Sequence, residues 1–248
     1  LSSKTLGLAK YAGAPGRTDL PTGHERTQIV DRLTVDSLPD RWYGLIPFDV
    51  LVWNEPKPSD LTSDQAQAIR EWVQRGGHLV VVLPRVGQTW TDEPTNPLYD
   101  ITPRVQVKRR EGIDLKPYSN LIAKDPAALM PTSEVLQVFT PLDGATFDEA
   151  SCILAGLETG PAPSESTPPP REWLVARRLA GTGMVDLVGL DVASSWMAAH
   201  GLPDPEPFWH RVLGRRGELW NVGDFASGDY NLRVQRPDVP TTVDRDIV

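Results

Sequence analysis

The stretch "LTSDQAQAIREWVQRGGHLVVVLP" (61–84) constrains the fold more than any other part of the chain. Thr62 is a favoured N-cap residue, and Gln65 stands three positions later, as a capping box requires. Apolar residues then recur at helical spacing as far as Val73. Gly76 can adopt the left-handed conformation that ends a helix. The pattern therefore predicts an amphipathic helix that stops just before Gly76.

Two apolar runs flank this helix. "DVLVW" (49–53) precedes it and "HLVVVLP" (78–84) follows it, and neither alternates with polar residues. Such runs are typical of strands buried on both faces, as in parallel sheets. Strand, helix and strand with short connections predict a βαβ unit with parallel pairing.

Further elements are expected along the rest of the chain. Strands are predicted at 104–109 and 133–142, and a short helix near 120–129. The run 172–190 reads as a hairpin that turns at Ala180-Gly181-Thr182-Gly183, because the glycines supply positive φ. "PEPFWHRVLGRRG" predicts a closing helix whose apolar residues pack on the sheet, namely Phe208, Trp209, Val212 and Leu213.

Together these elements predict an α/β fold, a flavodoxin-like three-layer sandwich with a mainly parallel sheet. The 248 residues are expected to form a single domain, 1–248. An irregular, β-rich insertion is expected at about 91–170, and a polar C-terminal tail from about residue 225. The proline-rich run 161–170 is expected to be a surface loop rather than a helix or strand.

The segment 38–84, "LPDRWYGLIPFDVLVWNEPKPSDLTSDQAQAIREWVQRGGHLVVVLP", resembles the core of class I glutamine amidotransferase-like domains. Divergent members, found in bacterial envelope proteins and in the middle domain of some β-galactosidases, are the most similar in pattern. Residues 172–213 resemble the closing hairpin and helix of these domains loosely, and the middle of the chain does not match. The positions that carry the resemblance are Leu38, Pro39, Tyr43, Asp49, Val50, Val52, Leu61, Gln65, Ile69, Trp72, Val73, Gly76, Gly77, Leu79 and Val80.

The resemblance does not extend to the chemistry of the family. Its enzymes place a cysteine on the turn after the strand that corresponds to "LVVVLP", and a histidine and an acid activate that cysteine. Here the turn, residues 83–87, reads Leu-Pro-Arg-Val-Gly and offers no nucleophile. Cys152 lies far along the chain and is expected to be a small buried or semi-buried thiol. The resemblance thus implies a non-catalytic domain, and no catalytic residue is assigned.

Composition narrows the classes of ligand. A net charge of -8 argues against nucleic acid, and the short basic run 107–112 is expected to be a solvated strand or loop edge. One cysteine cannot form an internal disulfide or a multi-cysteine metal site. The histidines have no metal-ligand spacing; they are His24, His78, His200 and His210. No phosphate-binding glycine motif is present. We therefore predict no metal and no cofactor.

A ligand crevice is expected at the carboxyl ends of the parallel strands, where open α/β sheets bind their ligands. Its mix of carboxylate, amide, guanidinium and indole groups would suit a small polar or sugar ligand, or a polar peptide. An alternative is that the two tryptophans only pack, that Glu55 and Arg85 form a surface ion pair, and that Asp191 caps a short helix. The candidate residues are Asn54, Glu55, Arg85, Gln88, Trp90, Asp191 and Trp196.

The function predicted from the sequence is an interaction or scaffolding module of a larger bacterial protein. Its expected partners are another protein or flanking domains of the same chain, with membrane contact only through segments outside this sequence. The resemblance favours a periplasmic or envelope-associated location over a cytoplasmic one. The alternative is a carbohydrate-active or other hydrolase in which Glu55 and Asp191 perform acid–base chemistry at the crevice.

Overall fold

The structure is a computed structural model that describes residues 6, 8, 29–30, 33–54, 57–83, 89–122, 130–155, 172–192 and 205–214. In these residues seven strands form one sheet and three α-helices accompany it. The strands are β1 (Val50–Trp53), β2 (His78–Val82), β3 (Val105–Ile113), β4 (Glu134–Pro141), β5 (Ser151–Ala155), β6 (Trp173–Ala180) and β7 (Gly183–Val188). The helices are α1 (Ser63–Gln74), α2 (Ser119–Ile122) and α3 (Glu206–Leu213).

The sheet is mixed, in the order β1-β2-β7-β6-β4-β3, with β5 paired to β6. Among the described strand pairs, only β1–β2 and β2–β7 are parallel. The pairs β7–β6, β6–β4, β4–β3 and β5–β6 are antiparallel. The expected flavodoxin-like α/β sandwich with a mainly parallel sheet is therefore wrong, and the fold is β-rich. The reason is that β3, β4 and β5, from the segment expected to be an insertion, join the same sheet through β6.

The βαβ unit at the start of the sheet is confirmed. α1 connects β1 to β2, which pair in parallel with Val50 opposite His78. The Thr62 hydroxyl accepts a hydrogen bond from the Gln65 backbone N–H at 3.2 Å, and the Gln65 side-chain oxygen accepts one from the Thr62 N–H at 3.1 Å. Gly76 has φ +115°, which ends α1 where the sequence predicts.

Two side chains of α1 hold the segment that precedes β1. The amide nitrogen of Gln65 donates to the carbonyl oxygens of Val35 and Leu38, at 2.9 and 3.1 Å. The indole N–H of Trp72 donates to the carbonyl oxygen of Phe48 at 3.1 Å. Residues 35–48 therefore run along α1 from its first turn to its last, and deliver the chain to the start of β1.

Both faces of the central strands are covered, which is why every residue of β2 is buried. Leu79 and Val81 belong to a core with residues of α1. Val80 and Val82 belong to a second core on the opposite face, which contains Phe208, Trp209 and Val212 of α3 as the sequence predicts. This double coverage explains the apolar run of β2, because no residue of it faces water.

The predicted hairpin of β6 and β7 is confirmed, with Gly181 at φ +65° in its turn. The turn lies against the end of α1, because the Thr182 N–H and hydroxyl both donate to the carbonyl oxygen of Gln74, at 3.0 and 3.1 Å. A Cβ on Gly183 would lie 2.0 Å from the Val73 oxygen, so only glycine allows this approach.

Two expectations in the middle of the chain need correction. β5 was not predicted, and it places Cys152 on an exposed position, so the expectation of a buried or semi-buried thiol is wrong. Of the short helix expected at 120–129, only the turn Ser119–Ile122 is described, and residues 123–129 lie outside the described part. The loop 161–170 and the tail from about 225 also lie outside it. Among the described helices, none is long and apolar enough to span a bilayer.

Candidate functional site

Of the predicted crevice residues, the structure describes Asn54, Trp90 and Asp191. Asn54 directly follows β1 and is 9% exposed, and Asp191 is half-buried three residues after β7. The other candidates lie outside the described residues; they are Glu55, Arg85, Gln88 and Trp196. The hydrolase alternative, which needs both Glu55 and Asp191, therefore stays a prediction.

Trp90 is a core residue. Its side chain is 3% exposed and packs edge-to-face on Trp53, with ring centroids 5.3 Å apart. Its carbonyl oxygen accepts a hydrogen bond from the Asn96 amide nitrogen at 2.7 Å, which fixes the backbone as well. This placement favours packing over ligand binding, because little of the indole is left for a ligand to contact.

A buried network of charged and polar side chains lies within the central strands, with His78 at the start of β2. Asp186 of β7 is fully buried, and Arg177 of β6 donates to both of its carboxylate oxygens at 2.7 Å. His78 Nε2 lies 2.9 Å from Asp186 Oδ2, and donates because an ionised carboxylate can only accept. The sequence signal was the aspartate inside the apolar run "MVDLV", which sequence reasoning did not single out.

This network fastens elements together rather than forming a reaction centre. Arg177 Nη2 also donates to the carbonyl oxygen of Val212 at 2.7 Å, which ties β6 to the end of α3. With His78 and Asp186, one cluster thus joins three strands and a helix. In the described part of the chain, no group of three or more His, Cys, Asp or Glu residues could hold a metal ion.

An exposed apolar pair precedes β1. The short 3-10 turn Trp42–Leu45 buries Leu45, and leaves Tyr43 62% exposed and Ile46 60% exposed. Ile46 N–H donates to the Tyr43 carbonyl oxygen at 3.4 Å, and side chains three apart in such a turn lie one above the other. A Cβ on Gly44 would lie 2.6 Å from Pro39, so the turn is tightly packed on its inner side.

A cation lies beside this pair. The guanidinium carbon of Arg75, just after α1, lies 4.3 Å from the centroid of the Trp42 ring, a cation–π contact. Trp42 in turn meets the Tyr43 ring edge-to-face at 6.2 Å. The exposed Tyr43 ring thus contacts the Trp42 indole, and the exposed Arg75 guanidinium lies over that indole.

A second exposed apolar pair comes from the turn before β5 and from β6. Phe147 is 76% exposed, and Leu179, near the end of β6, is 41% exposed. The Leu179 N–H donates to the carbonyl oxygen of Asp148 at 2.7 Å, so the two residues lie on neighbouring backbone segments.

The turn that carries Phe147 is held by Glu149. The carboxylate accepts hydrogen bonds from the Thr146 N–H at 3.0 Å, the Thr146 hydroxyl at 3.1 Å and Arg104 at 2.9 Å. The Thr146 backbone N–H, followed by Arg104, lowers the pKa of Glu149 to about 2. The exposure of Phe147 therefore belongs to a well-fixed turn.

Both pairs lie at the end of the sheet where the parallel strands begin. Tyr43 and Ile46 lead into β1, and β6 ends where β7 begins. β1 and β6 are three strand positions apart, which corresponds to about 14 Å at the usual strand spacing. Leu179 shares the sheet face of Arg177, which contacts α3, whereas Tyr43 and Ile46 lie beside α1. We call Tyr43, Ile46, Phe147 and Leu179, which lie at one end of the sheet, the amino-end surface. It lies opposite the crevice that the sequence predicts.

Comparisons with known proteins give only weak similarities. No family model and no curated protein matches the chain. A cytoplasmic protein of Salmonella typhimurium, STM3548, aligns with 75% of this chain and 80% of its own at 13% identity and a TM-score of 0.47. STM1381 of Salmonella typhimurium LT2 aligns with 71% of this chain and 75% of its own, at 14% identity and a TM-score of 0.44. The exo-β-1,4-mannosidase Op5Man5 of Opitutaceae bacterium strain TAV5 aligns with 65% of this chain and 27% of its own, at 15% identity and a TM-score of 0.31. These values are too low to assign a shared fold or function.

Proposed function

We propose that this chain is a non-catalytic interaction or scaffolding module that binds a protein partner through its amino-end surface. The observation that carries the proposal is where the exposed apolar side chains lie. Of the six large hydrophobic side chains that are exposed in the described part of the chain, four lie at this end of the sheet, and the others are Ile29 and Val30. Scattered exposed apolar residues are normal, whereas residues grouped at one end are typical of binding sites.

The surface is also built on backbone that is fixed before a partner arrives. The turn of Tyr43 is packed on Pro39, and the turn of Phe147 is held by Glu149. Preorganised side chains lose less conformational entropy on binding, which favours affinity. Tyrosine and phenylalanine add large rigid contact areas of the kind enriched at interfaces.

The non-catalytic part of the proposal is supported by sequence. The turn after β2, residues 83–87, has no cysteine, serine or threonine where the enzymes of the resembled family place a nucleophile. Membership of that family stays a prediction, as does the role within a larger bacterial protein.

The experiment is capture of a partner on the immobilised chain, followed by affinity measurement with the purified partner. We expect the double variant Tyr43→Ser, Ile46→Ser to bind at least about 10-fold more weakly, since central aromatic anchors dominate interface energies. Val30→Ser is the matched control, because Val30 is 54% exposed but lies outside the surface. Equal affinity of the double variant and the native chain would contradict the proposal.

A further inference from the structure

We draw no further inference here: the strongest candidate, the patch of exposed apolar side chains that Tyr43, Ile46, Phe147 and Leu179 form at one end of the sheet, belongs to the surface already described, and nothing in the described part of the chain shows what covers it.

Discussion

The parallel and antiparallel parts of the sheet accommodate charge in opposite ways. In the parallel part, β2 is buried at every residue, and the carboxylate of Asp186 on β7 is completely enclosed and paired. In the antiparallel part, β3 carries four consecutive charged residues, 108–111, and three of them form ion pairs at the surface. A strand that is covered on both faces can carry a charged side chain only where buried partners pair with it. An edge strand can leave its charged side chains in water.

The edge position of β3 explains the basic run 107–112. Within the described sheet β3 pairs only with β4, so the expectation of a solvated edge is confirmed. The pairing is irregular between Arg110 and Ile113, where Gly112 has φ +67°. Charged side chains and a bulge both discourage a sheet edge from pairing with another chain. The same run would be destabilising in β2, where water is excluded.

The largest effect is expected from breaking the buried charge network. Asp186→Ala leaves the guanidinium of Arg177 and the ring of His78 without their shared acceptor in a buried site. Removal of one partner from a buried pair costs about 3–5 kcal/mol. Urea unfolding monitored by circular dichroism measures this loss.

The matched control is Asp143→Ala, since Asp143 is exposed in a turn of the antiparallel part. It should change the free energy of unfolding by less than about 0.5 kcal/mol. If the two alanine variants were equally stable, the buried network would not be a stabilising feature of the parallel part.

The next effect concerns the junction of the two parts. Gly189 N–H donates to the Leu174 oxygen, and its own oxygen accepts from Gln137 N–H, both at 2.8 Å. A Cβ on Gly189 would lie 1.7 Å from the Gln137 oxygen, and backbone cannot move aside as a side chain can. We expect Gly189→Ala to cost about 3 kcal/mol, the upper end for overpacking.

Gly112→Ala is the comparison for this prediction. Its Cβ would meet nothing within 4 Å, so only the positive φ opposes it, at a cost of about 1 kcal/mol. Equal melting temperatures for the two variants would show that β7 and β4 can separate at this junction without loss of stability.

A smaller effect is expected at the start of α1. Thr62→Ala removes the hydroxyl that accepts the Gln65 N–H, and loss of an N-cap costs about 1 kcal/mol. Thr62→Ser keeps the hydroxyl and should retain most of the stability in the same thermal unfolding measurement. A serine variant as unstable as the alanine variant would point to the lost methyl group rather than to the cap.

The contrast between Thr62 and Gly189 shows what the sequence could predict. The capping box and Gly76 act within a few residues, so the pattern alone places α1 and its ends correctly. The pairing at Gly189 joins residues far apart in the chain, and nothing local indicates that β7 also pairs with β2. The hairpin was predicted, but its consequence for the sheet, a change from parallel to antiparallel, was not.

The proposed binding surface escaped prediction for a related reason. Burial of Leu45 and exposure of Tyr43 and Ile46 follow from a single 3-10 turn packed on α1, which has too few residues to show a period. The crevice was placed by analogy with parallel sheets, and the analogy weakened once most strand pairs proved antiparallel. Trp90 could have been assigned to the core only through its contact with Trp53.

The smallest effect is expected at the exposed turn of Phe147, and it depends on pH. The pKa of Glu149 is lowered from 4.5 to about 2, chiefly by the Thr146 N–H and then by Arg104. A carboxyl group with a lowered pKa stabilises the fold above its unfolded value, and this contribution is lost as the pH falls toward the folded value. The difference in melting temperature between the native chain and Glu149→Gln should therefore be constant above pH 4.5 and shrink between pH 4.5 and about 2.

Arg104→Gln separates the two causes of this shift. The Thr146 hydrogen bonds remain in that variant, so its melting temperature should still fall on acidification over a narrower range of pH. If the melting-temperature difference for Glu149→Gln stayed constant down to pH 2, the carboxylate would not be the group that holds the turn. The exposure of Phe147 would then depend on the hydrogen bond between Leu179 and Asp148 alone.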